Sequence, residues 1–436
     1  MKIIQNINIL ALGAESCGRF AVFSDDKIFI SKNFGNLLQD DNFKNYKKAV
    51  LKQIKIKKPD VILTDLHPLY VSTVLGEELS NKYKIQHIKI QHHLAHIFSA
   101  IGDKLCCPEY NECQPELIEG FQSTETTRDS STPLRSAQND SNNFRLDIKY
   151  SLPNTFYGIA SDGTGLGFDG NIWGGEVFKF LQEIPHNKKT RGFKNNLKIE
   201  ALRQSFDYAQ DDIQNYKIER IGSLEEQTML GGDLAVKEPA RMLISILNKF
   251  LPKEKIYENV KKHYSKNEFE LLYNQLQQNF NCQTTTSTGR ILDAVSVLLD
   301  FAKNERKSKH ESIKILEKNS AIPHKLAPKI TFDKDYNRYI LQTTPLFEYL
   351  LKNINKNKKR LAATAQLYLA QGFLEIINKN SNNQNSKIFF AGGIANNQIM
   401  SSYLENNNVY TSKKVPRGDE GLAFGQIIYC LSNYIN

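Results

Sequence analysis

The chain has 436 residues, with 57 Lys and Arg against 47 Asp and Glu, a net charge of +10. That length allows two domains with substantial cores, and no run of about 18 apolar residues predicts a membrane span. The lysines are interleaved with Glu and Asn. They form no single basic stripe and no base-stacking motif, so they read as a solvated surface and nucleic acid is not the expected partner.

The start, "MKIIQNINILALGAES", reads as a first β-strand because it lacks the charged head and cleavage site of a leader. A cytoplasmic location is the default expectation. Period-two alternation continues through "RFAVFS" and "KIFIS", separated by the polar turn "SDDK". A helix is predicted from about Asn42 to Lys57, then the strand "DVILTDL", then a helix opening near Pro68, where proline suits a first turn. "KIQHIKI" supplies a further strand and "QHHLAHIFSA" a further helix. A three-strand meander followed by alternating helices and strands is an α/β signature. The first lobe is assigned to residues 1–105.

From Cys106 to Pro153 the periodicity dissolves into Ser, Thr and Asn, which predicts a polar, disordered insertion; a second is expected near 185–215. Strand patterns return at "TFYGIASDGTG" and "NIWGGEVFKFL". The stretch from about 233 to 380 reads as mostly helical. "KIFFAGGIANNQIM" follows as strand, glycine turn and helix, "NVYTSKKV" as a strand, and "DEGLAFGQIIYCLSNY" as a closing helix. Residues 154–436 are assigned to the remainder of both lobes. The six cysteines, 17, 106, 107, 113, 282 and 430, lack zinc-finger spacing and read as reduced thiols. The Cys106–Cys107–Cys113 set is a thin hint of metal or redox chemistry.

Five stretches carry chemistry. His92 and His96 lie four apart, so on a helix both imidazoles can reach one ion. The residue after His92 is His93 and not the Glu of a zinc protease. The alternative is a polar helix end with structural histidines. "ASDGTGLGFDGNIWGGE" has the glycine density that lets backbone N–H groups approach phosphate, though a glycine-rich hairpin would look the same. "FFAGGIANN" places Gly392 and Gly393 between a strand end and a helix start, a natural phosphate position or a plain tight turn. Asp419 begins the closing helix, as a cap or as the carboxylate of a two-His site. Asp293, on an otherwise apolar helix, is a ribose-contact candidate or a paired acid.

Eight segments occur in order: "LGAE", "TDLHPLY", "QHHLAH", "DGTGLGFDGNIWGGE", "GGDLAVKEPARM", "STGRILDAV", "AGGIANN" and "DEGLAFGQ". Together they resemble the C-terminal, Kae1-like carbamoyltransferase region of the HypF family of hydrogenase-maturation proteins. The resemblance covers nearly the whole chain outside the polar insertions. It implies a two-lobed actin/Hsp70-like (ASKHA) α/β fold. It also implies a divalent metal, Fe or Zn, on His92, His96 and Asp419. Asp162, Gly163, Gly165, Asp293, Gly392, Gly393 and Asn396 would face a nucleotide. Where the family has "NDGG" this chain has "GDEG", which puts Glu420 beside Asp419.

The resemblance further implies transfer of a carbamoyl group from ATP-derived carbamoyl-adenylate to the C-terminal cysteine of HypE, with AMP released. A separate YrdC-like/acylphosphatase protein is expected to make the donor, and His67 is the candidate for proton transfer. Alternative expectations are O-carbamoyl transfer to a small metabolite, tRNA threonylcarbamoyl transfer, and a non-catalytic remnant of a split HypF.

Overall fold

The computed structural model describes residues 7–108, 142–146, 153–182, 216–381 and 386–434. Its first lobe begins with an antiparallel meander, β1 (Ile9–Ala11), β2 (Ala21–Ser24) and β3 (Lys27–Ile30). Asp25 and Asp26, both at positive φ, make the β2–β3 turn, the backbone that two-residue hairpins require. The helix Asp40–Ile56, β4 (Val61–Asp65), the helix Val71–Tyr83, β5 (Gln86–Ile90) and the helix His92–Leu105 follow. β4 pairs parallel with both β1 and β5.

The second lobe repeats this plan. β8 (Thr155–Leu166), β9 (Ile172–Gln182) and β10 (Tyr216–Leu224) form the meander. β15 (Lys387–Ala391) adds parallel to β8, and β16 (Val409–Thr411) parallel to β15. The inner strand order is therefore third, second, first, fourth, fifth in each lobe, as expected for the duplicated two-lobed fold. Between these halves lie the strands β11 (Gln227–Leu230), β12 (Cys282–Thr285), β13 (Ile330–Asp333) and β14 (Arg338–Leu341) and several helices.

Three expectations change. Residues assigned to the first insertion contribute two strands, β6 (Cys106–Pro108) and β7 (Asn142–Leu146), with β7 antiparallel to β3. Backbone pairing at a sheet edge needs no apolar alternation, so their polar sequence hid them. The rest of that insertion, and residues 183–215, lie outside the described residues. The helix predicted at Pro68 starts at Val71. The long helix predicted at "LAVKEPARMLISILNKFL" is two, Leu234–Lys237 and Ala240–Leu247, because Pro239 removes an N–H and interrupts the ladder.

The helix His92–Leu105 and the closing helix Leu422–Tyr434 are packed between the two sheets. One apolar cluster joins Ile9 and Ile28 of the first sheet, Ile97 and Phe98 of the His helix, Phe424 and Ile427 of the closing helix, and Phe156 and Phe180 of the second sheet. Separate clusters bury the outer face of each sheet under its own helices. The two central helices cross closely. A Cβ on Gly425 would lie 1.9 Å from the Ala95 carbonyl oxygen. Among the described residues no helix is long and apolar enough to cross a membrane.

Two stability predictions follow from this packing. Gly425→Ala forces the crossing apart and should cost about 1–3 kcal/mol, read by urea unfolding. His87 is pushed down to about 4, by burial first and then by Lys89, while its Nε2 bonds Thr64 Oγ1 at 2.7 Å. The unfolded chain therefore takes up this proton first. The stabilisation is complete above pH of about 6.5 and is lost as pH falls toward 4. His87→Gln should flatten the pH dependence of unfolding in that window.

Candidate metal centre

Four chain segments bring ionisable groups to one point. The apolar strand β4 ends in the buried Asp65, and Asp162 lies late in β8. His92 and His96 occupy the first two turns of the central helix. Asp419 sits in the 3-10 turn Gly418–Gly421 that leads into the closing helix. Strand ends and helix starts meet here because the crossovers run in parallel, which collects the carboxyl ends of β4 and β8 on one side.

His92 Nε2 lies 3.0 Å from His96 Nε2 and 3.1 Å from Asp162 Oδ2. His96 Nε2 is 3.3 Å from Asp162 Oδ2 and 3.6 Å from Asp419 Oδ1. One ligand atom from each of these four residues lies within 4.8 Å of all the others. Three of the four are held from their outer side. Asp65 Oδ2 accepts from His92 Nδ1 at 2.6 Å, and Asp162 Oδ1 accepts from the Gly393 N–H at 3.1 Å. Asp419 Oδ2 accepts from Ser16 Oγ and Lys309 Nζ.

The donor set fits a divalent cation. Two imidazole nitrogens facing each other at 3.0 Å are compatible only with a proton or an ion between them. Asp419 Oδ1 is buried, has no hydrogen-bond partner and faces the histidines; such an orphan is costly unless something positive reaches it. Bonds of about 2.1 Å to one ion separate neighbouring ligand atoms by about 3.0–3.4 Å, close to the spacings seen. The outer carboxylate on His92 is the arrangement that fixes ring and tautomer in metal sites.

The electrostatics agree. Burial disfavours charge on His92, yet Asp65, Asp162 and Asp419 outweigh it and hold its pKa well above the usual value. Burial would also raise Asp162, but hydrogen bonds from His92 and His96 hold it well below the usual carboxylate range. Asp419 is held low against burial by Lys309 and His96. The cluster thus keeps its carboxylates ionised and draws positive charge inward.

The glycine turns border this cluster. Gly392, at positive φ, brings its Cα against the Ser161 carbonyl, and Gly418 packs on the Gly393 Cα. Gly163 packs against Gly289, and Asn396 Nδ2 donates to the Gly393 carbonyl at 3.3 Å. Gly165 does something else: a Cβ there would strike His93 Cε1 at 2.5 Å, so it makes room for histidines. Asp162, expected at the nucleotide, belongs to the metal-type cluster. Asp293, offered as a ribose contact, is fully buried and paired with Arg290 Nη2 at 2.7 Å and Arg306 Nη1 at 3.2 Å; the apolar helix face turns it inward.

His67 is not brought into the cluster. Its imidazole stacks on Tyr70 at 4.2 Å, and its Nδ1 accepts from the Leu69 N–H. His93 accepts from Gln91 Nε2 through Nδ1 and stays outside the four. Glu420 turns toward Arg19, at 3.5 Å. Sequence reading missed Asp65, Ser16 and Lys309. Asp65 had a visible signal, a carboxylate closing the apolar run "VILTD"; the other two had none. The Cys106, Cys107 and Cys113 side chains lie outside the described residues. Asp65→Asn should weaken Co2+ binding by about 10–100-fold in equilibrium dialysis, while Glu420→Gln should leave it unchanged.

Comparisons with known proteins bear on both lobes. A family model described as HypF Kae1-like domain matches residues 5–103. Another, described as carbamoyltransferase, Kae1-like domain, second subdomain, matches residues 212–426. The probable carbamoyltransferase HypF of Methanocaldococcus jannaschii is 32% identical over 450 residues, covering 99% of this chain and 48% of that protein. Carbamoyltransferase HypF of Rhodobacter capsulatus is 21% identical, covering 85% of this chain and 39% of that protein. The crystal structure of T. kodakarensis HypF superposes with a TM-score of 0.70 at 24% identity, covering 98% of this chain and 48% of that one. Full-length HypF in a phosphate- and nucleotide-bound form gives a TM-score of 0.71 at 21% identity, covering 99% and 47%. These two likenesses carry the fold. The chain spans about half the length of the M. jannaschii relative and of both solved structures. With both lobes matched by models of one family and nearly every residue aligned to one relative, this chain belongs to the HypF family, as its Kae1-like region.

Proposed function

We propose that the chain is a carbamoyltransferase of [NiFe]-hydrogenase maturation, moving a carbamoyl group from carbamoyl-adenylate to the C-terminal cysteine of HypE. The observation that carries this reading is the position of the His92–His96–Asp162–Asp419 cluster directly beside the turns at Gly163, Gly392 and Gly393. The turns offer backbone free of Cβ atoms to a phosphate, and a solved full-length HypF is described in a phosphate- and nucleotide-bound form, which supports nucleotide chemistry in the family.

A divalent ion, Fe or Zn, held by the four side chains would supply Lewis acidity to the donor. The residues do the rest. Asp65 fixes His92, the Gly393 N–H fixes Asp162, and Ser16 fixes Asp419, so the donor meets a preorganised site. The HypE thiolate attacks the carbamoyl carbon. A C–S bond forms, the C–O bond to phosphate breaks, and AMP leaves with the electron pair. A thiolate is nucleophilic without a strong base, and His67, outside the cluster, stays the candidate for proton transfer. We take the donor to come from a YrdC-like protein.

The test is reconstitution. The chain is mixed with a YrdC-like enzyme, ATP, labelled carbamoyl phosphate and HypE. Label should appear on the HypE C-terminal cysteine and vanish with His92→Ala that keeps the wild-type circular dichroism. Absence of label with a partner shown to make the adenylate would sink the proposal.

A further inference from the structure

We propose that Lys309 is the residue that binds the negatively charged phosphate of the ligand, an assignment that rests on the nucleotide reading above. It lies in the segment 303–310 between two helices and belongs to none of the motifs singled out in the sequence. Its ammonium donates to Ser16 Oγ at 3.2 Å and to Asp419 Oδ2. An ammonium has three N–H donors, and the side chain is 46% exposed, so one donor is left facing the cleft.

The next residue locates that cleft. A Cβ on Gly393 would lie 2.9 Å from His310 Cε1, and one on Gly163 would lie 3.8 Å from it. The 309–310 pair therefore lies on the two glycine turns on one side and on the Asp419 cluster on the other. A second cation approaches the same place. Arg290 is 1% exposed, has no partner for Nε or Nη1, and brings Nη2 to 3.9 Å from the Cβ position of Gly163. Two cations thus approach the glycine turns, but Arg290 is already paired with the buried Asp293, while Lys309 keeps a donor beyond its bonds to Asp419 and Ser16. The multiply charged phosphate of a nucleoside monophosphate is the kind of anion such an ammonium takes.

The lysine is also presented by a braced turn. Lys307 N and Ser308 N donate to Glu311 Oε2 at 2.6 and 3.2 Å, and Arg306 reaches the buried Asp293 at 3.2 Å. His310 adopts a left-handed backbone, φ 61°, which a residue with a side chain keeps only where its surroundings dictate it. Lys309 can therefore take a phosphate oxygen with its remaining N–H while keeping its bonds to Asp419 and Ser16.

Binding measurements on the metal-loaded protein test this. AMP, adenosine and inorganic phosphate are titrated by calorimetry into the wild type, Lys309→Met and Lys309→Arg. With Co2+ occupancy matched to the wild type, Lys309→Met should weaken AMP about tenfold or more, flatten its salt dependence and leave adenosine affinity no weaker. Lys309→Arg should keep most of the AMP affinity. Wild-type affinity for AMP in Lys309→Met, or equal loss of AMP and adenosine, would overturn the assignment. Phosphate binding without AMP binding, lost in Lys309→Met, would overturn the nucleotide as source. A wild-type protein that binds neither AMP nor phosphate would instead overturn the nucleotide reading itself.

Discussion

Everything at the centre depends on mutual compensation of buried charge. His92, His96, Asp65 and Asp162 are all at most 2% exposed. Any one of them, taken out of water alone, would neutralise or destabilise the fold. They persist because each imidazole faces a carboxylate and each carboxylate is also hydrogen-bonded elsewhere. The same constraint explains the packing. The helix bearing the histidines must enter the space between the sheets at one angle, and Gly425 is what lets the closing helix approach it to backbone contact.

That geometry joins fold to function. In each lobe the parallel crossovers send strand ends toward the cleft. β4 delivers Asp65, β8 delivers Asp162, and β15 delivers the Gly392–Gly393 turn whose N–H holds Asp162. Asp419 comes from the 3-10 turn before the last helix and is gripped by Ser16, from the first lobe's opening loop. The site is therefore a product of both lobes meeting.

Lys309, bonded to Asp419, and Arg290, paired with Asp293, both approach the glycine turns beside the histidine cluster. Asp293, buried between two arginines, does its work at one remove, by holding Arg306 and with it the turn that carries Lys309.

Much of this was legible in the chain alone. Alternation and helical periodicity gave both lobes, because core faces impose those periods whatever the partner. The four-residue spacing of His92 and His96 predicted a shared face, since helix geometry is local. Gly392 and Gly393 announced a tight turn for the same reason. The tertiary structure decided the rest. Asp162 read as a nucleotide residue because nothing local shows which way a strand-end carboxylate turns. Asp293 was open between a ribose contact and a paired acid; burial against Arg290 and Arg306 decides for the pair. β7 was invisible because its edge pairing with β3, from Lys27 with Arg145 to Ile30 with Asn142, is made by backbone far apart in the chain. Lys309, one lysine among many, acquires meaning only because a turn braced by Glu311 sets it against Asp419, 110 residues further along the chain.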